Sequence, residues 1–349
     1  MAINRRYMLK TFAALSACQL VPPAFAFNSN ELIIGACRLD DKNFAVSAVD
    51  LDGRLQWQLA LPARGHDIAL HGTQNIAVAV ARRPGQFLVL FNTISGKTMH
   101  VLTVANHCKL NGHAIWVDDT LIVSSSDIKT SKMRLLRFKF IGGALELMDE
   151  HNYDYYGPHQ LERFGNNIYV AIGGLKTNER DVTNKEDFES LILKLEATTL
   201  RKLKAYPATT KHVSLRHLAI DQTGQVYVAG QYQLAVDQSE TLLFRLDNNA
   251  LQPFNAPADL WPKLKGYLGS IRCINEKVIV TSPRAHWLGI FNSNTLTLED
   301  QLFAHDICAL ANSPKGIVAG TGTGKLLIGD NMMNSHVIWD NHFQVARIK

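Results

Sequence analysis

The strongest constraint on the fold is a repeat of short strand-like segments. From Leu32 to the end of the chain, β-branched and apolar runs alternate with clusters of Gly, Asn, Asp and Pro, and helical periodicity is almost absent. One group of runs occupies residues 66–70, 75–80, 87–91 and 97–102. The same quartet recurs at residues 306–310, 316–320, 325–329 and 335–339. This pattern predicts an all-β protein built from four-stranded units.

Equivalent first strands can be placed along the whole chain. They start at His66, His113, His159, His217, Ser270, Asp306 and His342. Successive starts are 36 to 58 residues apart, in the range of β-propeller blades such as WD and YVTN-type repeats. We therefore predict one β-propeller domain over residues 27–349.

The two ends of the chain are expected to complete one blade together. Residues 31–37, 43–51 and 55–61 supply only three candidate strands before the first quartet, and residues 341–347 form a lone strand after the last one. Joining them closes the ring and removes the exposed sheet edges of an open array. The arrangement predicts seven blades. A count of six or eight would require a less regular middle repeat to be merged or split.

Residues 1–26 have the features of an export signal. The run Arg5-Arg6-Tyr7-Met8-Leu9-Lys10 resembles a twin-arginine (Tat) signal, and the following apolar stretch ends in Ala24-Phe25-Ala26. The segment Leu15-Ser16-Ala17-Cys18 also resembles a lipobox, in which Cys18 would carry a lipid anchor. We expect cleavage after Ala26 and a periplasmic protein, with a lipid-anchored protein as the alternative.

Charge and cysteine content narrow the class of protein further. The formal net charge is +5, and Arg5, Arg6 and Lys10 supply three of these charges, so the part after residue 26 is too weakly basic to suggest a nucleic-acid binder. The later cysteines stand singly, without Cys-x-x-Cys spacing, which favours buried free thiols. They are Cys37, Cys108, Cys273 and Cys308. No later segment approaches the ~20 apolar residues of a membrane span, and we expect a monomer.

Histidine stands at the start of five of the predicted first strands, where an axial mouth would bring different blades together. Imidazole and carboxylate groups bind first-row transition metals, and three or four of them can reach one ion. The predicted metal ligands are His66, His113, His159, His217, His342 and Asp306. Iron and copper are the candidate metals. The alternative is that each histidine forms a local hydrogen bond within its own blade.

Arginines lie beside or across from the same ring. Guanidinium groups suit carboxylate or phosphate, so Arg64, Arg216 and Arg284 are predicted to bind an anionic ligand such as an iron chelate. The alternative is a set of salt bridges with Asp67, Asp306 and Asp340. The loops between second and third strands are expected at this mouth, and the longest, residues 175–189, is either a lid or a solvated insertion.

Five segments together resemble a bacterial family known as domain of unknown function 1513. They are Arg64-Gly65-His66, Gly157-Pro158-His159-Gln160-Leu161, Leu215-Arg216-His217-Leu218-Ala219, Gly269-Ser270-Ile271 with Thr281-Ser282-Pro283-Arg284, and Asp306-Ile307-Cys308 with Trp339-Asp340-Asn341-His342. The resemblance implies a Tat-exported propeller associated with an imelysin-like iron-binding protein and a di-haem peroxidase-like protein in iron acquisition. The segment around His113 departs from the family pattern, so His113 is the weakest of the five histidine candidates.

The sequence therefore favours an accessory binding protein over an enzyme. No nucleophile triad, paired-carboxylate motif or dinucleotide fingerprint is evident, and the glycine-rich residues 320–325 are predicted to form a hairpin, because the phosphate-loop spacing is absent. We expect a metal ion or an iron-containing ligand at a histidine-lined mouth. The alternative is a protein-interaction scaffold that docks periplasmic partners, in which the histidines are structural.

Overall fold

Seven four-stranded antiparallel sheets make up most of the described part of the chain. The structure, a computed structural model, describes residues 30–178 and 181–348. The innermost strands of successive sheets contact one another in a closed circuit, so the sheets are blades of a seven-bladed β-propeller. The predicted all-β fold and blade count are confirmed. The predicted signal, with Arg5, Arg6 and Cys18, lies outside the described residues.

Blade 7 is built from both ends of the chain, as predicted. Its strands from the N-terminal side are β1 (Glu31–Arg38), β2 (Phe44–Val49) and β3 (Leu55–Leu61). Its innermost strand, β30 (Ile338–Arg347), pairs antiparallel with β1, and Gln344 lies opposite Ile34. Strand β30 begins three residues before the predicted start at residue 341. The ring is therefore closed by main-chain hydrogen bonds between the two ends of the domain.

Blades 1 to 3 follow in chain order from the innermost strand outwards. Blade 1 contains β4 (Gly65–Leu70), β5 (Ile76–Ala81), β6 (Phe87–Asn92) and β7 (Thr98–Thr103). Blade 2 contains β8 (Cys108–Val117), β9 (Thr120–Asp127), β10 (Lys132–Ile141) and β11 (Ala144–Tyr156). Blade 3 contains β12 (Pro158–Phe164), β13 (Asn167–Ile172), β16 (Leu191–Glu196) and β17 (Lys202–Pro207), with the short hairpin β14 (Thr177–Asn178) and β15 (Asp181–Val182) inserted before β16.

Blades 4 to 6 repeat the same order. Blade 4 contains β18 (Val213–Ile220), β19 (Val226–Tyr232), β20 (Leu243–Asp247) and β21 (Ala250–Pro253). Blade 5 contains β22 (Ser270–Ile274), β23 (Lys277–Ser282), β24 (Trp287–Asn292) and β25 (Leu298–Phe303). Blade 6 contains β26 (Ile307–Ser313), β27 (Gly316–Thr321), β28 (Lys325–Ile328) and β29 (Asn331–Asn334). The glycine-rich residues 320–325 join β27 to β28, which confirms the predicted hairpin.

Helix is rare in the described residues. A single turn of α-helix, α1 (Leu260–Lys263), lies between blades 4 and 5, and short 3₁₀ helices occupy Val236–Gln238 and Pro283–Ala285. No helix among the described residues is long and apolar enough to cross a membrane.

The hydrophobic core lies between adjacent blades, which explains the apolar runs in the sequence. Every residue of β5 is buried because neighbouring blades cover both faces of the sheet, whereas the outermost β7 is largely half-exposed. One cluster packs Trp57 against Phe91 across blades 7 and 1, with ring centres 5.6 Å apart. This packing holds the innermost strands in place around the axis.

The four cysteines in the described part of the chain are free thiols, as predicted. Three of them are buried, and burial raises the pKa of Cys37 to about 11 and that of Cys273 to about 12. Because a thiolate is the form that reacts and binds metals, these residues behave as core side chains.

Candidate metal centre

The five predicted histidines lie at or next to β-bulges in innermost strands. His66 and His159 are the second residues of β4 and β12, whereas His113, His217 and His342 lie in the middle of β8, β18 and β30. In blade 1 the pairing of β4 with β5 passes from Gly65 to Asp67 and leaves His66 in the bulge. Comparable irregularities occur in β8, β12, β18 and β30 at residues 111–113, 159–160, 216 and 340–342. A bulge changes the direction of a side chain and ends regular pairing. The bulges therefore let the histidines point towards the axis.

The five imidazole rings converge into one group, here called the histidine cluster. Four of them form a circuit in which the ring centres of His66 and His342, His342 and His217, His217 and His159, and His159 and His66 are 4.7, 4.8, 4.8 and 5.9 Å apart. The ring of His113 lies 4.6 to 5.7 Å from each of these four. Two imidazoles bound to one ion at about 2.1 Å have ring centres about 4.5–5 Å apart. Six of the eight ring-centre distances lie in this range, and the two exceptions are His66–His159 and His113–His217.

His113 is central to this arrangement rather than peripheral. Its ligand atoms lie within 4.8 Å of those of two different pairs of histidines, His66 with His159 and His217 with His342. It is also 1% exposed. The sequence ranked His113 as the weakest candidate because the surrounding segment departs from the family pattern. That departure gave no sign that the His113 ring lies at the centre of the cluster.

Several ring nitrogens of the cluster have no hydrogen-bond partner among the described residues. They are Nδ1 of His66, Nε2 of His113, Nδ1 of His159 and Nε2 of His342. A buried polar atom without a partner costs about 1–3 kcal/mol, so four such atoms in one place are unusual. The alternative to metal binding was that each histidine forms a hydrogen bond within its own blade. These four nitrogens form no such bond among the described residues.

Two side chains orient the cluster from neighbouring blades. Oδ2 of Asp67 lies 2.9 Å from Nδ1 of His113, and Oε1 of Gln160 lies 3.2 Å from Nδ1 of His217. The amide of Gln160 is fixed in turn, because its Nε2 donates to Oε1 of Glu162 at 2.7 Å and to the carbonyl of Leu218 at 2.9 Å. Such partners set the tautomer and leave Nε2 available as a ligand.

Sequence reasoning missed Asp67 and Gln160, although a signal was present. Each follows a histidine directly in the chain and contacts the histidine of the next blade. Where the following residue is apolar, as Ala114 after His113 and Phe343 after His342, Nδ1 of the next blade's histidine has no partner. The residue after each ring histidine thus indicates how the neighbouring imidazole is held.

Four of the five imidazoles are kept neutral. Burial, together with nearby histidines and arginines, holds the pKa values of four of them well below the usual 6.5; these are His66, His159, His217 and His342. Neutral imidazole is the form that binds metals.

A polar cavity of about 170 Å³ opens onto the cluster from the side of the predicted mouth. Its lining residues are His66, Arg82, Arg83, Asn111, His159, Arg216, His217, Gln231, Tyr267 and Asn341. Arg82 and Arg83 belong to the loop between β5 and β6, one of the loops expected at the mouth. A second cavity, of about 330 Å³, lies further along the innermost strands and is lined in part by Asp67, Glu162 and Arg272. The histidine cluster lies between the two cavities.

The three predicted anion-binding arginines have different environments. Nε of Arg64 donates to Oδ2 of Asp340 at 2.5 Å, which is the salt-bridge alternative. Arg284 stacks on the ring of Tyr267 at 4.1 Å. Arg216 lines the cavity at 4% exposure, and burial together with the charge of Arg83 lowers its pKa to about 9.

Asp306 is the predicted ligand that the structure does not bring into the histidine cluster. Its backbone has a left-handed φ of +54°, and its N–H donates to Nδ1 of His286 at 3.1 Å. Burial raises the pKa of Asp306, and the nearby histidines His305 and His286 oppose that effect. It therefore belongs to the rim of the propeller beside these two histidines.

The predicted lid contacts the neighbouring blade. Nζ of Lys109 donates to the carbonyl of Thr177 at 2.8 Å, and Oγ of Ser131 donates to the same carbonyl at 2.8 Å. These bonds attach the start of the 175–189 insertion in blade 3 to blade 2.

Among residues 30–178 and 181–348, one further group of potential ligands lies away from the axis. His107, Cys108 and Glu150 are within 4.8 Å of one another, and Nε2 of His107 already pairs with Glu150 at 3.1 Å. Burial raises the pKa of the Cys108 thiol to about 11, which disfavours the thiolate that a metal requires.

Comparison with solved structures shows the fold. Hydrazine synthase of Kuenenia stuttgartiensis matches with a TM-score of 0.59 and 12% identity, covering 84% of this chain and 89% of that one. Sqt1 of Saccharomyces cerevisiae matches with a TM-score of 0.51 and 10% identity, covering 79% and 85%. At such identities the likeness is one of architecture.

Sequence comparison identifies the family. Among curated proteins, no relative matches this chain significantly. The family model described as "Protein of unknown function (DUF1513)" matches residues 59–346, a span that includes all five histidines of the cluster. This chain therefore belongs to the DUF1513 family.

Proposed function

We propose that this protein binds one first-row transition-metal ion at the histidine cluster. The observation that carries the proposal is a group of five imidazoles in which four ring nitrogens, on His66, His113, His159 and His342, have no partner among the described residues. Ligand atoms of the group come within 4.8 Å of one another in two sets of three that share His113, and an ion bound to such a set would offset part of the cost of leaving these nitrogens unpaired. The Asp67–His113 and Gln160–His217 contacts add the outer-shell support that metal-binding histidines usually have.

Iron and copper are the metals we propose. Imidazole suits zinc, copper, iron and nickel, whereas magnesium and calcium require oxygen ligands, which the cluster does not offer. The ligand atoms of the cluster come together in two sets of three that share His113. Three imidazoles leave coordination positions open on the ion, and iron and copper sites commonly retain such positions.

We further propose an accessory role in iron acquisition outside the cytoplasm. The twin-arginine-like start of the sequence and the family resemblance support this role. The proposed partners are an imelysin-like iron-binding protein and a di-haem peroxidase-like protein. Co-purification of either partner with the exported protein, lost on removal of the metal with a chelator, is the expected result.

A protein-interaction scaffold is the second candidate function. Large apolar side chains on the outermost strands favour it: Phe303 is 72% exposed, and Met148 is 51% exposed. Partner binding that survives loss of the histidine cluster but fails in Phe303→Ser would support the scaffold.

Elemental analysis of protein exported through its own signal tests metal binding. We expect about one iron or copper ion per chain, and loss of that ion in the double variant His159→Ala, His217→Ala. His71→Ala is the matched control, because His71 is also buried but pairs with Asp119 just beyond the ends of the innermost strands β4 and β8, outside the histidine cluster. Wild-type protein without bound metal, or equal metal content in the double variant, would refute the proposal.

A further inference from the structure

The polar cavity beside the histidine cluster has an unusual lining. It contains three arginines, three histidines, three side-chain amides and one tyrosine, and no carboxylate among the described residues. A volume of about 170 Å³ is below the usual range of drug-sized pockets, which is ≈ 300–1,000 Å³. The cavity is therefore sized for a small polar ligand and has a positive lining.

Arg216 is the residue that most requires a ligand. It is 4% exposed, its Nε has no hydrogen-bond partner, and no carboxylate of the described residues forms a salt bridge with it. A buried cation without a counter-ion is costly. The arginines Arg64 and Arg82, by contrast, share the carboxylate of Asp340 at 2.5 and 3.5 Å.

The position of Arg216 connects the cavity to the cluster. It occupies the bulge of β18 directly before His217, and both side chains line the cavity. A metal ion held by neutral imidazoles would add further positive charge to the same space. An anion placed there would face a guanidinium on one side and a metal ion on the other.

We propose that this cavity binds a small planar carboxylate-type oxyanion that coordinates the metal through one oxygen and pairs with Arg216 through another. The inference rests on the metal binding proposed above. The guanidinium fork matches the two oxygens of a carboxylate or carbonate. The amides of Asn111, Gln231 and Asn341 supply additional donors around the anion. Two sources share this chemistry, a small organic acid and bicarbonate.

Cobalt(II)-saturated protein provides the test, because the visible absorption of cobalt reports changes in its ligands. Oxalate and bicarbonate are to be titrated separately into the cobalt-saturated protein, with perchlorate as the non-coordinating control. Oxalate or bicarbonate is expected to shift the spectrum and to bind at least about ten-fold more tightly than to metal-free protein, whereas perchlorate has no effect. If oxalate binds more tightly than bicarbonate, the natural ligand is a small organic acid. If bicarbonate binds more tightly, the natural ligand is carbonate.

Single substitutions test whether Arg216 binds the anion. Arg216→Gln is expected to weaken the anion at least about ten-fold in the cobalt-saturated state. Arg272→Gln is the matched control, because Arg272 lies in the second cavity on the other side of the cluster. Should Arg216→Gln fail to fold, Arg83→Gln removes a second charge from the same cavity, and the same loss is expected.

The possible failures are distinct. Cobalt-saturated protein that binds neither anion, or that binds them equally well with and without Arg216, overturns this inference and leaves metal binding intact. Protein that binds no cobalt at the cluster overturns the proposed function and this inference together.

Discussion

Oδ2 of Asp67 lies 2.9 Å from Nδ1 of His113 and joins blade 1 to blade 2 at their innermost strands. Oδ1 of the same carboxylate accepts the N–H of Ile68 at 2.8 Å, so the side chain is fixed by its own strand. This contact places the proton of His113 on Nδ1 and leaves Nε2 facing the other histidines. The blade interface thus determines which nitrogen His113 offers as a ligand.

Asp67→Asn should weaken metal binding without removing a proposed ligand. The amide cannot stabilise the imidazole as a carboxylate does, and loss of such an outer-shell partner typically costs 10–100-fold in affinity. Competition with a chromophoric chelator measures the change. Asp50→Asn is the control, because Asp50 is also buried but accepts backbone hydrogen bonds in a turn of blade 7. Equal affinities for the wild type and Asp67→Asn would count against an outer-shell role.

His113→Ala should have a larger effect than Asp67→Asn. His113 contacts all four other rings of the cluster, so its loss removes a ligand and leaves a gap in the centre of the group. We expect an affinity loss of more than about 100-fold in the same chelator competition, beyond the outer-shell range. An affinity close to that of the wild type would show that His113 is not a ligand.

Gly112→Ala should destabilise the protein by straining the backbone at residue 112 and displacing the His66 ring. Gly112 has a φ of +99°, and a Cβ added there would lie 2.3 Å from Cδ2 of His66. Backbone strain at such a position costs of order 1–3 kcal/mol, and displacement of the His66 ring adds to it. Urea unfolding of metal-free protein should show this loss of stability. Gly72→Ala, where an added Cβ meets nothing within 4 Å, should unfold like the wild type.

Acidification should destabilise the metal-free protein below about pH 6.5. Burial, followed by neighbouring positive charges, lowers the pKa values of His66, His159, His217 and His342 in the folded state. The unfolded chain therefore takes up protons from pH 6.5 downwards while the folded protein remains neutral, and the free energy of unfolding falls with pH. Each histidine contributes about 1.4 kcal/mol per pH unit in this window.

Urea titrations between pH 5 and pH 7.5 measure this slope. The variant His159→Ala, His217→Ala lacks two of the four groups, so its slope should be about half as steep. A free energy of unfolding that is independent of pH over this range would contradict the neutral state of the cluster.

Much of the fold followed from the repeat. Because each blade buries both faces of its sheet, its middle strands are continuous apolar runs such as β5, and their spacing gave the blade count. The lone strand after the last quartet predicted the closing pair β1 and β30. Equivalent positions in a closed ring face one axis, which is why five histidines separated by up to 276 residues lie together.

The remainder of the site depends on contacts that have no periodicity. Arg82 and Arg83 reach the cavity from a loop whose sequence is not repeated from blade to blade. Asp67 follows a ring histidine, but its contact with His113 crosses a blade interface and becomes visible only in the folded ring. Asp306 occupies an equivalent position in the sequence, but its left-handed backbone belongs to a different local turn. The ion pairs of Arg64 and Arg82 depend on where a single carboxylate, Asp340, lies.

Anomalous diffraction from crystals of the metal-loaded protein, recorded at the absorption edge of the bound metal, tests metal binding at the histidine cluster most directly. We expect one anomalous peak between the five imidazoles, within bonding distance, about 2.0–2.3 Å, of Nε2 of His113 and of at least two other ring nitrogens. A peak at His107, Cys108 and Glu150, or the absence of a peak at the histidine cluster, would contradict this expectation.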